Sequence, residues 1–214
     1  MHQTHGYGDG KIEPLGADLH IHTVYSADSL IQPKMLVDML VAHNFIKVAA
    51  VTDHDSVRGC RPTMQLASAY PDILVIPGVE ISTLYGDVVV LGTEELPPKP
   101  WTPEAVVDFA KSVGGVSIVA HPYREYGMGD RARNYKVDAI EVLNGGSTQA
   151  ANHQAKELAK SMGLPGTAGS DAHQVSELFS VCSKIEASLN VDDILKAIRK
   201  GSVSAQPSKG SIHF

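Results

Sequence analysis

Residues of the types that bind divalent metal ions recur in short clusters along this chain, each at the end of an apolar run. The clusters contain histidine, aspartate and glutamate, and they are His20-Ile21-His22, Asp53-His54-Asp55, Glu80, His121-Pro122 and Asp171-Ala172-His173. Imidazoles and carboxylates gathered in a buried place carry a high desolvation cost unless a cation compensates it. The clusters therefore predict a divalent metal site assembled from distant parts of the chain.

The elements that must position these clusters follow a regular order. Short apolar, β-branched segments alternate with longer amphipathic ones, and Pro33 and Pro103 mark helix starts while Gly163 and Gly201 mark helix ends. Strands that are apolar throughout and alternate with helices are typical of a parallel sheet covered by helices. About seven such repeats favour closure of the sheet, so we predict an α/β fold of the (β/α) barrel type.

A barrel gives the position of the clusters a meaning. In such folds the catalytic side chains lie at the carboxyl ends of the strands, and each cluster here follows a predicted strand. His20 and His22 are two residues apart, so their side chains point to the same side of a strand and can share one ion. Asp18 and Asp53 can accept the second N–H of a ligating histidine, or they can be ordinary turn or cap carboxylates.

Composition sets limits on the class of protein. The chain has 214 residues, of which 43% are hydrophobic and 20% charged, and we predict one domain with a core at 16–205 and an N-terminal extension at 1–15. No apolar run is long enough to cross a bilayer and the N-terminus lacks a signal-peptide pattern, so we expect a cytoplasmic protein with no membrane partner. A formal charge of -6 disfavours nucleic acid as a tight partner.

The motifs resemble those of the PHP (polymerase and histidinol phosphatase) superfamily. The matching segments are Asp18-Leu19-His20-Ile21-His22-Thr23 with Ser26 and Asp28, Thr52-Asp53-His54-Asp55-Ser56, Pro77-Gly78-Val79-Glu80-Ile81-Ser82, Ala120-His121-Pro122 and Gly169-Ser170-Asp171-Ala172-His173. The resemblance spans residues 16 to about 175. It implies a small stand-alone metal-dependent phosphoesterase. It also implies a distorted, TIM-like (β/α)7 barrel that holds two or three divalent ions, commonly zinc, manganese or iron.

The resemblance also implies which residues hold each ion. A first ion would be held by His20, His22, Glu80 and Asp171. Glu80 would bridge to a second ion held by His121, and a third would be held by His54, His173 and Asp28. Members with a full second site usually have another histidine shortly after the glutamate, whereas here Gly86 is followed by Asp87. Asp87 is either a ligand of the second ion or a strand-start residue that faces solvent.

The expected reaction is hydrolysis of a phosphate ester by attack of a metal-activated hydroxide. Two ions about 3.5 to 4 Å apart supply the nucleophile and neutralise charge on the phosphoryl oxygens, and a bridging Glu80 would set that spacing. The leaving group would take its proton from Asp28, from His173 or from a metal-bound water.

Substrate contacts are expected from the loop at 122–136, which combines guanidinium groups with tyrosines. Arg124, close to His121, is the first candidate for a phosphate ligand and Arg58, close to His54, is the second. Tyr123 is a candidate for contact with a planar part of the substrate. The predicted partner is a small phosphorylated molecule.

Three functions compete at this point. The first is a phosphoesterase acting on a small metabolite, with nucleoside phosphates and bisphosphates as candidates. The second is a histidinol-phosphate phosphatase. The third is a non-catalytic PHP-like subunit of a nucleic-acid-processing complex, which the retained ligands and the acidic charge disfavour.

Overall fold

Nine β-strands and five α-helices form the part of the chain that the computed structural model describes, residues 13–208. The strands are β1 Leu15–Ile21, β2 Ile46–Val51, β3 Leu74–Thr83, β4 Gly86–Leu91, β5 Val116–Val119, β6 Ala139–Asn144, β7 Gly166–Gly169, β8 Val181–Ile185 and β9 Val203–Pro207. The α-helices are α1 Pro33–Ala42, α2 Cys60–Ala67, α3 Pro103–Ser112, α4 Gln149–Met162 and α5 Val191–Lys200. Residues 1–12 of the predicted N-terminal extension lie outside the described residues.

The strands form one sheet that curls into a nearly closed barrel. Its order is β7-β6-β5-β4-β3-β2-β1-β8-β9. The segment after β7 returns to β1, where the Asp171 N–H donates to the His20 carbonyl (2.8 Å) and the His22 N–H donates to the Ala172 carbonyl (3.0 Å). The predicted α/β barrel class is confirmed.

The predicted count of seven βα units is wrong. Strand β4 is antiparallel to both of its neighbours, and β8 is antiparallel to β1 and β9. Only Leu84 and Tyr85 separate β3 from β4, and a connection of two residues can join antiparallel strands but is too short to cross over to a parallel one. Strand β9 was not predicted, and the loop between β5 and β6 contains a 3₁₀ helix, Gly129–Asn134, in place of an α-helix.

The alternation of side chains along the strands places polar groups above an apolar interior. Ile76 of β3 and Val89 of β4 belong to a buried cluster that α5 also joins through Ile194 and Ile198. Glu80 and Asp87 lie an even number of residues from Ile76 and Val89, on the same faces of these strands. The packing that fills the barrel therefore also directs these two carboxylates toward one rim.

Helices α1 to α4 pack against the outer face of the sheet, while α5 packs against the cluster that fills the barrel. Thr102, Thr148 and Asn190 accept N–H hydrogen bonds at the starts of α3, α4 and α5. Gly163 and Gly201 take the left-handed conformation that ends α4 and α5, as predicted. No helix within residues 13–208 is long and apolar enough to cross a membrane.

A buried hydroxyl links β7 to β8, and we expect Ser183→Ala to destabilise the fold. The Ser183 hydroxyl accepts from the Ala168 N–H (2.8 Å) and donates to the Ala168 carbonyl (3.1 Å). Because both backbone groups would lose this partner in a buried place, the free energy of unfolding should fall by about 2 kcal/mol or more in urea denaturation. Ser112→Ala, at an exposed serine of α3, is the matched control and should change little. Equal urea midpoints for the two variants would contradict the prediction.

Candidate metal centre

The predicted ligands meet at the rim formed by the carboxyl ends of the parallel strands. His20 is the last residue but one of β1, and Asp53, His121 and Asp171 each lie two residues past the ends of β2, β5 and β7. Asp87 reaches the same rim because β4 is antiparallel, so its first residues lie beside the last residues of its neighbours. These clusters, which are distant in sequence, are therefore brought together.

The prediction that Glu80 follows the end of a strand is wrong. Glu80 lies within β3, which continues past it into the hairpin where Ser82 pairs with Asp87 and Thr83 with Gly86. The backbone turns elsewhere, at His121 (φ 26°) and Asp171 (φ 55°), both in the left-handed region. Gly169 allows β7 to pack closely against β1, because a Cβ there would lie 2.2 Å from the His20 Cβ.

Glu80 is the centre of the cluster. It has no solvent exposure. Its Oε2 lies 3.2 Å from the Nε2 atoms of both His20 and His22 and 3.1 Å from Nδ1 of His54, while its Oε1 lies 2.9 Å from Nε2 of His121. Four imidazoles thus surround one carboxylate.

Several of these buried atoms lack a hydrogen-bond partner among the described residues. They are His20 Nε2, His22 Nε2, Glu80 Oε2 and His121 Nδ1. A buried polar atom without a partner is costly, and native proteins seldom tolerate several in one place. Three of the four are within reach of one point between His20, His22 and Glu80, where a cation would satisfy all three. The residues present therefore fit a divalent ion.

The donor atoms fall into three groups that could each hold an ion. In each group one candidate ligand atom per residue lies within 4.8 Å of all the others: His20 with His22, Glu80 and Asp171; Glu80 with Asp87 and His121; and His22 with His54 and His173. Mixed imidazole and carboxylate donors suit zinc and similar transition metals. The cluster indicates divalent metal binding, while the assignment of each residue to an ion stays a prediction.

Asp87 and Asp28 occupy different positions in these groups. Asp87 is partly buried beside Glu80 and His121, so it faces the cluster and not open solvent. Asp28 is 54% exposed, and its Oδ2 lies 3.5 Å from His54 Nε2 and 3.3 Å from His173 Nε2. Asp28 therefore stands at the outer side of the third group, which His22 completes from within.

Electrostatic coupling inside the cluster is strong. Burial acts to lower the pKa of His20, but the charges of Glu80, Asp171 and Glu141 outweigh it and raise that pKa well above its usual value. Burial acts to raise the pKa of Glu80, but the charge of His20 and the hydrogen bond from His121 hold it well below its usual value. The pKa of Asp171 is likewise held below its usual value by His20 and His22, so the site favours the ionised forms of Glu80 and Asp171 and attracts positive charge.

Glu141 supports two of the ligands, and sequence reasoning missed it. Its Oε1 lies 3.0 Å from His20 Nδ1, while its Oε2 accepts from the His121 N–H (2.8 Å) and from Asn144 Nδ2 (3.0 Å). A carboxylate behind one ring nitrogen leaves the other, Nε2, free to face a metal. The available signal was a charged residue inside the apolar segment of β6.

Asp53 and Asp18 do not contact the ligating imidazoles directly. Asp53 accepts from the Thr23 N–H (2.6 Å) and the Ser26 hydroxyl (3.2 Å), and Ser26 Oγ lies 3.2 Å from His22 Nδ1. Asp18 accepts backbone N–H groups of Ser170 (2.8 Å) and Phe179 (3.2 Å), and burial raises its pKa to about 6. Asp53 orients His22 through Ser26, and Asp18 ties β1 to the segment after β7.

Of the predicted substrate residues, the structure brings only Arg124 to the cluster. Its guanidinium, 40% exposed, pairs with the Asp171 carboxylate. Arg58 is exposed, with its guanidinium 5.8 Å from the ring centre of Tyr25. The Tyr123 ring packs against a core cluster and its hydroxyl donates to Asp130 (3.2 Å), so neither residue contacts the ligand groups.

Two adjoining cavities open at the cluster. The smaller, the metal cleft, has a volume of about 160 Å³ and is lined by Asp28, His54, Asp87, His121, Arg124, Glu125, Asp171 and His173. The larger, the side cavity, has a volume of about 460 Å³ and is lined by Arg124, Gly145, Gly146, Ser170, Asp171, His173, Ser176, Glu177 and Ser180. Arg124, Asp171 and His173 border both.

Part of this chain matches a family profile, and a larger part is similar in sequence to a known protein. The profile of a family described as PHP-associated matches residues 149–203. An uncharacterized protein of Methanocaldococcus jannaschii is 34% identical over 140 residues, which are 60% of this chain and 81% of that protein.

Solved structures share the fold. A two-domain protein of Bacteroides vulgatus that contains a predicted PHP-like metal-dependent phosphoesterase superposes with a TM-score of 0.75 at 19% identity, over 90% of this chain and 64% of that one. The lesion-specific endonuclease EndoQ of Pyrococcus furiosus superposes with a TM-score of 0.66 at 14% identity, over 90% and 57%. This chain thus spans less than two thirds of either protein. The profile match and the shared fold together support a PHP-domain protein.

Metal affinity should depend on Glu141. Because glutamine offers one acceptor oxygen where the carboxylate offers two, Glu141→Gln should loosen the hold on His20 and His121 and weaken metal binding about 10- to 100-fold. Competition with a chromogenic chelator measures this affinity. Glu157→Gln, at an exposed glutamate of α4, is the matched control. Unchanged affinity in Glu141→Gln would show that Glu141 does not support the ligands.

Proposed function

We propose that this protein is a metal-dependent phosphoesterase that hydrolyses a phosphate ester of a small metabolite. The observation that carries the proposal is that the buried Glu80 carboxylate belongs to two ligand groups at once, those of His20 and of His121. A carboxylate shared in this way can bridge two ions, which is the arrangement used for in-line displacement at phosphorus. The fold that this chain shares with a protein containing a PHP-like phosphoesterase supports the same reaction class.

In the proposed reaction, the ester P–O bond breaks, a hydroxyl from water joins phosphorus, and the leaving oxygen gains a proton. The residues that would hold the divalent ions are His20, His22, His54, Glu80, Asp87, His121, Asp171 and His173, with Asp28 beside them. Bound there, such ions lower the pKa of water and neutralise charge on the phosphoryl oxygens. Zinc, manganese and iron are the candidates that this donor set suits.

The surrounding side chains have separate tasks in this proposal. Arg124 lies at the mouth of the metal cleft with its guanidinium partly exposed, so it can donate to a phosphoryl oxygen. Asp28 and His173 contact each other at 3.3 Å on the solvent side of the cleft. When the third ligand group holds no ion, a proton held between them can reach the leaving oxygen. Glu141 and Asp53 keep the histidines in place.

Phosphodiesters are the second candidate class of substrate. The shared fold with an endonuclease favours them, because both kinds of ester are cleaved by the same displacement. The formal charge of -6 disfavours a long polyanion, so we place small monoesters first. The retained donor set argues against a non-catalytic subunit, while histidinol phosphate belongs among the monoesters to test.

Phosphate release should require Glu80. The carboxylate of Glu80 belongs to two ligand groups. Glu80→Gln should therefore lower the amount of bound metal and the rate of phosphate release, each by at least about 100-fold. Metal is measured by mass spectrometry and phosphate by a colorimetric screen over monoesters and diesters with added manganese. Glu157→Gln again serves as control. Full activity in metal-free protein would rule out the proposal.

Arg124 should act on substrate binding more than on metal binding. Loss of a charge-assisted hydrogen bond costs about 1.5 to 3 kcal/mol, so Arg124→Ala should raise KM for a monoester about 10- to 100-fold. Arg124→Lys keeps the charge but not the planar pair of donors and should be intermediate. Bound metal should stay at the wild-type level in both variants. An unchanged KM in Arg124→Ala would remove Arg124 from the substrate site.

A further inference from the structure

We infer that the side cavity binds the alcohol part of the ester and that this alcohol is a sugar or another polyol, not a nucleoside. The inference rests on the proposed function, because it assumes that the phosphoryl group lies in the metal cleft. It assigns a role to a cavity that the ligand groups themselves do not use.

The side cavity lies where the leaving group of an ester bound in the metal cleft would extend. It shares the wall formed by Arg124, Asp171 and His173 with the metal cleft. A phosphoryl group in the cleft, at about 160 Å³, leaves little room for anything larger there. The remainder of an ester can therefore extend past this shared wall into the side cavity of about 460 Å³, a size typical of sites for small molecules.

Small residues and residues with polar side chains share the walls of the side cavity. Ser170, Ser176, Ser180 and Glu177 line it together with Gly145 and Gly146. Hydroxyls both donate and accept, and a carboxylate accepts, so these groups pair with the hydroxyls of a polyol. Neutral polyols also suit the cavity electrostatically, because its cation, Arg124, is paired with Asp171.

A nucleoside fits these walls less well. Recognition of a base usually relies on a large aromatic side chain that stacks on it, and no Phe, Tyr or Trp lies among the residues that the structure places around the side cavity. The imidazole of His173, which also lines the cavity, is a candidate metal ligand. Tyr123 is held by Asp130 and the core, and Tyr126 is 87% exposed at the tip of its loop. A second phosphate, as in a bisphosphate, would face Glu177, and Arg124, the cation among the lining residues, is already assigned to the first phosphoryl group.

Gly146 offers a way to fill the side cavity without disturbing the backbone. Its φ is not in the left-handed region. A Cβ there would lie 3.5 Å from Arg124 Nη1 and 3.8 Å from Asp171 Oδ2, which is ordinary contact. Gly146→Leu should therefore fold and place its side chain in the cavity.

The test measures phosphate release by the manganese-loaded protein from hexose phosphates, glycerol phosphate, nucleoside monophosphates, nucleoside bisphosphates and ethyl phosphate. We expect kcat/KM for hexose phosphates to exceed that for nucleotides about tenfold or more, since one unmatched set of polar groups costs at least this much. Gly146→Leu should reduce kcat/KM for hexose phosphates about tenfold more than for ethyl phosphate, which does not reach the cavity. Ala150→Leu, which introduces the same side chain on the exposed first turn of α4, is the control for general effects.

Two results would overturn the inference: a preference for nucleotides, or a Gly146→Leu defect of the same size for hexose phosphate and ethyl phosphate. Failure of the proposed function has a different signature, namely no phosphate release from any ester by protein with bound metal. In that case the inference is tested by binding affinities measured by calorimetry. The wild type must then bind hexose phosphate more tightly than nucleoside monophosphate, and Gly146→Leu must lose this difference in affinity. Equal affinities of the wild type for the two ligands would overturn the inference.

Discussion

The rest of the site depends on one constraint, the burial of the Glu80 carboxylate among four histidines. An ionised carboxylate with no solvent exposure is strongly destabilising unless positive charge lies beside it. His20, His22, His54 and His121 supply nitrogen atoms around it, yet several of the buried atoms remain without hydrogen bonds. A divalent ion resolves both problems at once, which explains why the protein accepts so costly an arrangement.

The barrel holds this arrangement by placing each donor on a separate, rigid strand end. The antiparallel strand β4 is part of this solution, because it presents Asp87 at the rim where its parallel neighbours end. Behind the donors, Glu141 and the pair of Asp53 and Ser26 fix two of the imidazoles. The Ser183 hydroxyl links β7 to β8 and so helps to close the ring that carries Asp171. Stability and site geometry are therefore coupled.

Function, as proposed, follows from two adjoining spaces with different chemistry. The metal cleft gathers imidazoles and carboxylates suited to cations and, through them, to a phosphoryl group. The side cavity gathers hydroxyls and backbone suited to a neutral polar group. Arg124 stands between them, paired with Asp171 and partly exposed. The proposed reaction class rests on the metal cleft, whereas the proposed choice of substrate rests on the side cavity.

Sequence alone determined the α/β class, the starts of α1 and α3, the ends of α4 and α5 and the set of ligand candidates, because periodicity, prolines and glycines at helix ends, and polar residues at the ends of apolar runs are local signals. Only the tertiary structure decided that β4 and β8 are antiparallel, that Glu141 lies behind His20 and that Asp87 faces Glu80. It also decided that the Tyr123 hydroxyl binds Asp130 and that the Arg58 guanidinium lies over the Tyr25 ring. These outcomes depend on which strands pair and where each side chain points. Both are set by contacts between residues far apart in the chain, which no local pattern contains.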